Sequence, residues 1–190
     1  MTKPTLYQER ENRGLYTTVD LVGILLSKWR LCMVKRLLDP ARKQLVDLAC
    51  GDNRLVSRLG FGIGVDILDY GNVDLVATNF EQLPLPSSSV DYVTIIAALN
   101  YFENPSGVLK EVSRIMRSDG VLLVTLLDAR VSRLWHKLRD RRLKRTAYSK
   151  EELVELLSAS GLVVASATKF MFGLNNIYLI KKENQINGAQ

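Results

Sequence analysis

Val46-Asp47-Leu48-Ala49-Cys50-Gly51-Asp52-Asn53 decides the fold: an apolar run closes in small residues and opens directly into a helical pattern. Small residues at the carboxyl end of a buried strand let backbone approach a ligand, and open α/β sheets place their binding crevice there. Nineteen residues after Asp47, a second apolar run, Gly64-Val65-Asp66, ends in a carboxylate. An acid so placed can accept hydrogen bonds from both hydroxyls of a ribose. The pair points to a nucleoside site, although an aspartate ending a strand can also simply cap a turn.

Outward from that stretch, short apolar runs bounded by Gly, Asp, Asn or Pro predict buried strands at 45–49, 63–67, 74–77, 90–96 and 121–127. Helical patterns separate the later ones. Val108, Leu109, Val112, Ile115 and Met116 mark a helix over 106–116, closed by Ser118-Asp119-Gly120 with the glycine as a left-handed cap. Ser149-Lys150-Glu151-Glu152 caps a further helix to Ser160, and two strands, 162–170 and 176–182, joined by 171–174, predict an antiparallel hairpin. Near the start, Thr17-Thr18-Val19-Asp20 resembles a capping box. Leu21, Ile24, Leu25, Trp29 and Cys32 follow at helical spacing until Leu38-Asp39-Pro40 ends the pattern. Strands alternating with helices mean an α/β domain with a mostly parallel sheet.

The 190 residues match a single domain on a scale of about 150 residues each, and 47 % apolar with 24 % charged residues excludes a disordered chain. No apolar run approaches the roughly 18 residues that span a bilayer, and residues 1–12 lack a signal-peptide core, so the expectation is a cytoplasmic protein. Two cysteines and one histidine, with no CxxC pair, argue against a disulfide framework and against a metal site. The net charge of +6 is local. Arg130, Arg133, Lys137, Arg139, Arg141, Arg142, Lys144 and Arg145 surround a single acid, Asp140, leaving 18 basic and 19 acidic residues elsewhere. A concentrated basic element on a neutral globule implies an anionic partner at one place.

Further motifs follow in order: Thr78-Asn79-Phe80-Glu81-Gln82-Leu83-Pro84-Leu85, Ser87-Ser88-Ser89-Val90-Asp91-Tyr92-Val93, Ala97 to Asn104, and Leu109 to Gly120. That succession resembles the class I S-adenosylmethionine-dependent methyltransferases, and most closely the branch built on the methyltransferase type 11 domain. The resemblance covers about residues 45 to 127 well and 149 to 182 more loosely. It implies a Rossmann-like, seven-stranded, mostly parallel sheet with helices on both faces and an antiparallel last strand.

By the same resemblance, S-adenosyl-L-methionine is the cofactor and S-adenosyl-L-homocysteine its product. Asp47 would lie near the methionine amino group, with Ala49, Cys50 and Gly51 in the cofactor loop. Asp66 would hold the ribose, Ile67 and Phe80 would sandwich the adenine, Asn79 would face its amino edge, and Ala97 would contact the methionine part. Phe80 also reads as a core aromatic, and Cys50 as a small buried residue and not a nucleophile. The chain departs from the family at three places: Ala49 and Asn53 stand where glycine is usual, and Asn79 where aspartate is usual. Asparagine tolerates left-handed backbone, whereas alanine there costs about 1 kcal/mol.

The segment after the fourth strand faces the acceptor in such enzymes, which makes Asn100 and Tyr101 candidate acceptor-side groups; covering the sheet end is their plain alternative. The domain divides into an N-terminal helical cap (1–40), a cofactor core (41–127), a basic lid (128–148), a C-terminal helix and hairpin (149–182) and a tail (183–190). Val131, Leu134, Trp135 and Leu138 form one stripe of the basic element, with His136 among its charges. It reads as a solvated helix, as a site for an anionic headgroup, or as a contact with the inner face of a membrane. Methyl transfer to a small-molecule or lipid- or glycan-linked acceptor, anionic in character, is the expectation. An RNA acceptor and a non-catalytic binding module are the alternatives, nucleic acid being disfavoured because the basic face is small and lacks interleaved aromatics.

Overall fold

The computed structural model describes residues 21–130 and 148–184. The expected cap at Thr17–Asp20, the basic element beyond Arg130 and the end of the tail lie outside the described residues. In chain order the elements are α1 (Leu21–Arg36), β1 (Leu45–Leu48), α2 (Arg54–Leu59), β2 (Ile63–Asp66), β3 (Leu75–Val76), β4 (Val90–Ile96), a 3₁₀ turn (Leu99–Tyr101), α3 (Pro105–Ile115), β5 (Met116–Leu127), α4 (Lys150–Ser158), β6 (Leu162–Phe170) and β7 (Asn175–Lys182).

The strands form one seven-stranded sheet in the order β3-β2-β1-β4-β5-β7-β6. β1 to β5 pair in parallel, while β7 is antiparallel to both its neighbours, β5 and β6. This is the architecture expected from the alternation of apolar runs. Side chains alternate across it. Val93, Ile95, Leu122 and Val124 face the cluster that includes residues of α3 and α4, whereas Tyr92, Val121 and Leu123 face the cluster that includes α1 and α2. Helices therefore cover both faces. The order of strands reverses at β1, with β2 and β3 laid down on one side and β4 and β5 on the other, and ligand crevices form outside the carboxyl ends of strands at such a switch point.

Three local expectations need correction. The stripe of α1 that packs on the sheet is Leu31, Val34 and, just beyond the helix, Leu38, whereas Leu25, Trp29 and Cys32 are exposed. The two stripes lie on nearly opposite faces of the helix, and the one that carries Leu31 and Val34 joins Tyr92, Val121 and Leu123 of β4 and β5 in the core. Gly120 is not a left-handed cap: α3 passes straight into β5 through Met116 in extended backbone (φ −65°, ψ 140°). Residues 117–120 instead form a wide bulge, because Val90 pairs with Met116 but Tyr92 already pairs with Val121. A side chain at 120 would come within 3.0 Å of the Arg117 carbonyl, which accounts for the glycine. Finally, α3 begins one residue earlier than expected, with Pro105 in its first turn and the Asn104 side chain accepting from Gly107 N at 3.1 Å. The capping box of α4 at Ser149 and Glu152 is present as read.

α1 runs against the parallel strands. At its far end Asp39 N donates to the Tyr92 hydroxyl (3.1 Å), and Arg42 pairs with Asp91 near the start of β4. At its near end the Trp29 ring meets Phe172 edge-on at 5.8 Å, in the turn beyond the end of β5. The first half of α1 therefore sits at the carboxyl edge of the sheet. Among the described residues, no helix is long and apolar enough to cross a membrane.

Candidate active site

The loop after β1 is built from left-handed backbone. Ala49 (φ 55°), Gly51 (φ 58°) and Asn53 (φ 56°) alternate with ordinary residues, a geometry that strains any side chain. The Ala49 methyl packs against the hydrophobic core, so the departure from glycine does not itself fill the loop. Asn53 is buried, and its Nδ2 donates to the Asn72 carbonyl and to the Asp74 carboxylate, both at 2.8 Å. Gly64 lies beneath it, where a Cβ would come 2.1 Å from Asn53 Oδ1. This asparagine therefore ties the start of α2 to the connection between β2 and β3.

Asp66 closes the loop from the other side. Its Oδ2 accepts from Gly51 N at 2.9 Å and its Oδ1 from Leu68 N at 3.1 Å. Each oxygen keeps a further lone pair, the capacity that a diol needs. Asp47 lies deeper, between Gly64 on β2 and Thr94 on β4, and accepts from the Thr94 hydroxyl at 2.5 Å. Burial pushes its carboxyl up to about 7; the Thr94 bond opposes that shift and the Asp66 charge adds to it. Burial likewise pushes the Cys50 thiol up to about 12, helped by the fields of Asp47, Asp66 and Asp74. Cys50 is thus no nucleophile at neutral pH, and the loop lies in a negative field.

The remaining expected residues lie on the loops after β2, β3 and β4, at the same edge. Ile67 is exposed, one residue past Asp66. Phe80 is buried, with its ring 5.1 Å from that of Phe102. Asn79 Oδ1 accepts from Glu81 N (3.0 Å) and Gln82 N (2.9 Å), which leaves its amide NH2 for a ligand acceptor. Buried Glu111 fixes that loop to α3 by accepting from Leu83 N (2.7 Å) while paired with Arg114, which also donates to the Leu85 carbonyl. Ala97 (φ 55°) donates its N–H to the carbonyl and the hydroxyl of Thr125, at 3.1 and 3.0 Å. Asn100 is half-buried and Tyr101 exposed in the 3₁₀ turn that follows.

Thr94, Thr125 and the Arg30–Asn175 pair were not singled out in the sequence. A threonine inside a buried strand, level with a buried aspartate, is the signal that could have found Thr94. The other contacts cross between distant segments and leave no local trace. In Arg30–Asn175 the guanidinium Nη2 donates to Asn175 Oδ1 at 3.2 Å across 145 positions of chain.

The fit of a nucleoside sulfonium to this edge follows from the groups present. Unsaturated carboxylate oxygens on Asp66 match ribose hydroxyls, and a loop flanked by aspartates suits positive charge.

Comparison with known proteins agrees. Residues 46–124 match the methyltransferase domain family. A demethylmenaquinone methyltransferase from Geobacillus stearothermophilus is 25 % identical over 197 residues, covering 80 % of this chain and 84 % of its own length. An uncharacterised protein of Methanocaldococcus jannaschii is 24 % identical over 67 % of this chain and 68 % of its own. Among solved structures, a SAM-dependent methyltransferase from Thermotoga maritima shares the fold with a TM-score of 0.71 at 21 % identity, over 80 % of this chain and 87 % of that one. The family match falls on the very strands and loops that build the edge described above, and with the shared fold it supports a class I S-adenosylmethionine-dependent methyltransferase.

Proposed function

We propose that the protein methylates a small molecule with an apolar body, using S-adenosylmethionine held across the carboxyl ends of β1, β2 and β4. The observation that carries this reading is the Asp66–Gly51 hydrogen bond, which joins the end of β2 to the loop after β1 at the switch point. Asp66 takes the ribose hydroxyls, and Ile67 offers its exposed side chain to the adenine with Phe80 packed behind. The Asn79 amide donates to a ring nitrogen. The loop from Ala49 to Gly51 and the Asp47 carboxyl set the field at the methionine end, and Ala97 bounds that end from β4.

When bound, S-adenosylmethionine supplies a methyl group on a sulfonium, already activated for transfer. The chain has to align an attacking atom and exclude water. Asn100 and Tyr101 stand where an acceptor would approach. The acceptor's apolar body is supported by the exposed Leu25, Trp29, Leu127, Phe172 and Leu174 at that edge, and by the quinone-type acceptor in the name of the Geobacillus relative.

The test is calorimetric titration with S-adenosylhomocysteine, with NAD as control. Micromolar binding of the first alone supports the reading; binding of neither, or of NAD equally well, overturns it. A screen of small aromatic acceptors by release of S-adenosylhomocysteine then defines the acceptor, and turnover on RNA alone would replace the small-molecule reading.

A further inference from the structure

Arg30 enters the carboxyl edge from α1. Its side chain is largely buried, its Nη2 donates to the neutral Asn175 amide, and its Nε–H is buried with no acceptor. No carboxylate pairs with it among the described residues. Asn175 is itself aimed: it is 3 % exposed, and its Nδ2 is held by the Met171 sulfur at 3.0 Å, which turns its oxygen to the guanidinium. Burial holds the Arg30 guanidinium below its ordinary value, and the Tyr101 phenol of the acceptor-side turn acts on it in the opposite direction.

Buried arginines are normally satisfied by carboxylates, and one left with a free Nε–H retains the capacity for planar, two-point recognition of an oxyanion. Its desolvation has then been met in advance, and an anion arriving there restores the missing bond. We propose that Arg30, oriented by Asn175, binds an anionic oxygen group, carboxylate or phosphate, on the methyl acceptor. The proposal rests on the acceptor-side reading of this edge given above. It makes the substrate class an amphipathic acid, with an apolar body over Trp29 and Phe172 and a charged group anchored at Arg30.

The experiment is an NMR titration of the full chain, with and without saturating S-adenosylhomocysteine, that follows the Arg30 Nε–H resonance. The probes are benzoate, phenyl phosphate and neutral benzamide. The expected result is a saturable shift with benzoate or phenyl phosphate and none with benzamide, the larger response identifying the group. Arg30→Gln should abolish it. Asn175→Asp, which supplies an internal counter-ion, should weaken anion binding at least tenfold while leaving the protein folded and S-adenosylhomocysteine binding unchanged. Equal shifts with benzamide, no shift with either anion, or undiminished anion binding in Asn175→Asp would each overturn the proposal. Failure of S-adenosylhomocysteine to bind, with the anion response intact, would instead remove the cofactor reading and leave the Arg30 site standing.

Discussion

Gly51 N donates to Asp66 Oδ2 at 2.9 Å, so the carboxylate that ends β2 also holds the loop that ends β1 in its left-handed form. Asp66→Ala removes both this bond and the acceptor proposed for a ribose. Affinity for S-adenosylhomocysteine should fall by about 1.5–3 kcal/mol, roughly 10- to 150-fold. Calorimetry reads this directly, and unchanged affinity would refute the ribose role.

Asn53 and Gly64 are coupled through space. Gly64→Ala drives a methyl into the Asn53 amide and should cost about 1–3 kcal/mol in denaturant unfolding. Asn53→Gly, costly alone because the bonds to Asn72 and Asp74 go, should recover most of that loss in the double variant. Additive losses would show that the two positions do not meet.

Ala49→Gly relieves left-handed strain of about 1–2 kcal/mol but forfeits a methyl packed on the core and loosens the unfolded chain. The net change in stability should lie within about 0.5 kcal/mol, and S-adenosylhomocysteine affinity should change less than twofold. A tenfold gain in affinity would mean that the methyl obstructs the loop after all.

Asp47 sets a pH dependence. Its folded value of about 7 exceeds that of an unfolded aspartate, so the folded state holds the extra proton between the two values. Stability of the ligand-free protein should decline as pH rises from near 4 to 7 and level off above. A positively charged ligand favours the ionised form, so S-adenosylmethionine affinity should rise from pH 6 to 8. Asp47→Asn should flatten both profiles. Persistence of the binding slope in that variant would assign it to another group.

Cys50 and Cys32 should separate under alkylation at pH 7.5. Cys32 is exposed on α1, whereas Cys50 is half-buried and held almost wholly as the thiol. Mass spectrometry after limited iodoacetamide treatment should find the label on Cys32 first. Faster modification of Cys50 would contradict the negative field around the loop.

The sheet was legible because each strand announces itself locally: an apolar run, then a residue that turns the chain, as in Leu48-Ala49 or Val65-Asp66. The hairpin from β6 to β7 and the capping box at Ser149 are local in the same sense. Where reading failed, the deciding interaction was remote or had no loop to mark it. Gly120 resembled a cap because helices usually end in a turn, but here α3 and β5 abut. Nothing near Leu25 or Trp29 says that Leu31 and Val34, nearly half a turn away, will be the ones to meet the sheet. Asp47 and Asp66 could be found by spacing. Arg30 and Asn175 could not, being at opposite ends of the chain and meeting only once α1 lies across the sheet.

The way α1 is fastened has a mechanical consequence. Its last turns are gripped by Leu31, Val34 and Leu38 in the core, and beyond them Asp39 bonds Tyr92 while Arg42 pairs with Asp91 and Asp119. Its outer turns carry exposed Leu25 and Trp29, the latter resting on the tip of a hairpin where Met171 and Phe172 both adopt strained backbone. The helix is a cantilever, clamped at one end and lightly propped at the other. A load applied at Trp29 would therefore bear on the propped end alone, while the rest of the helix keeps its purchase on the sheet.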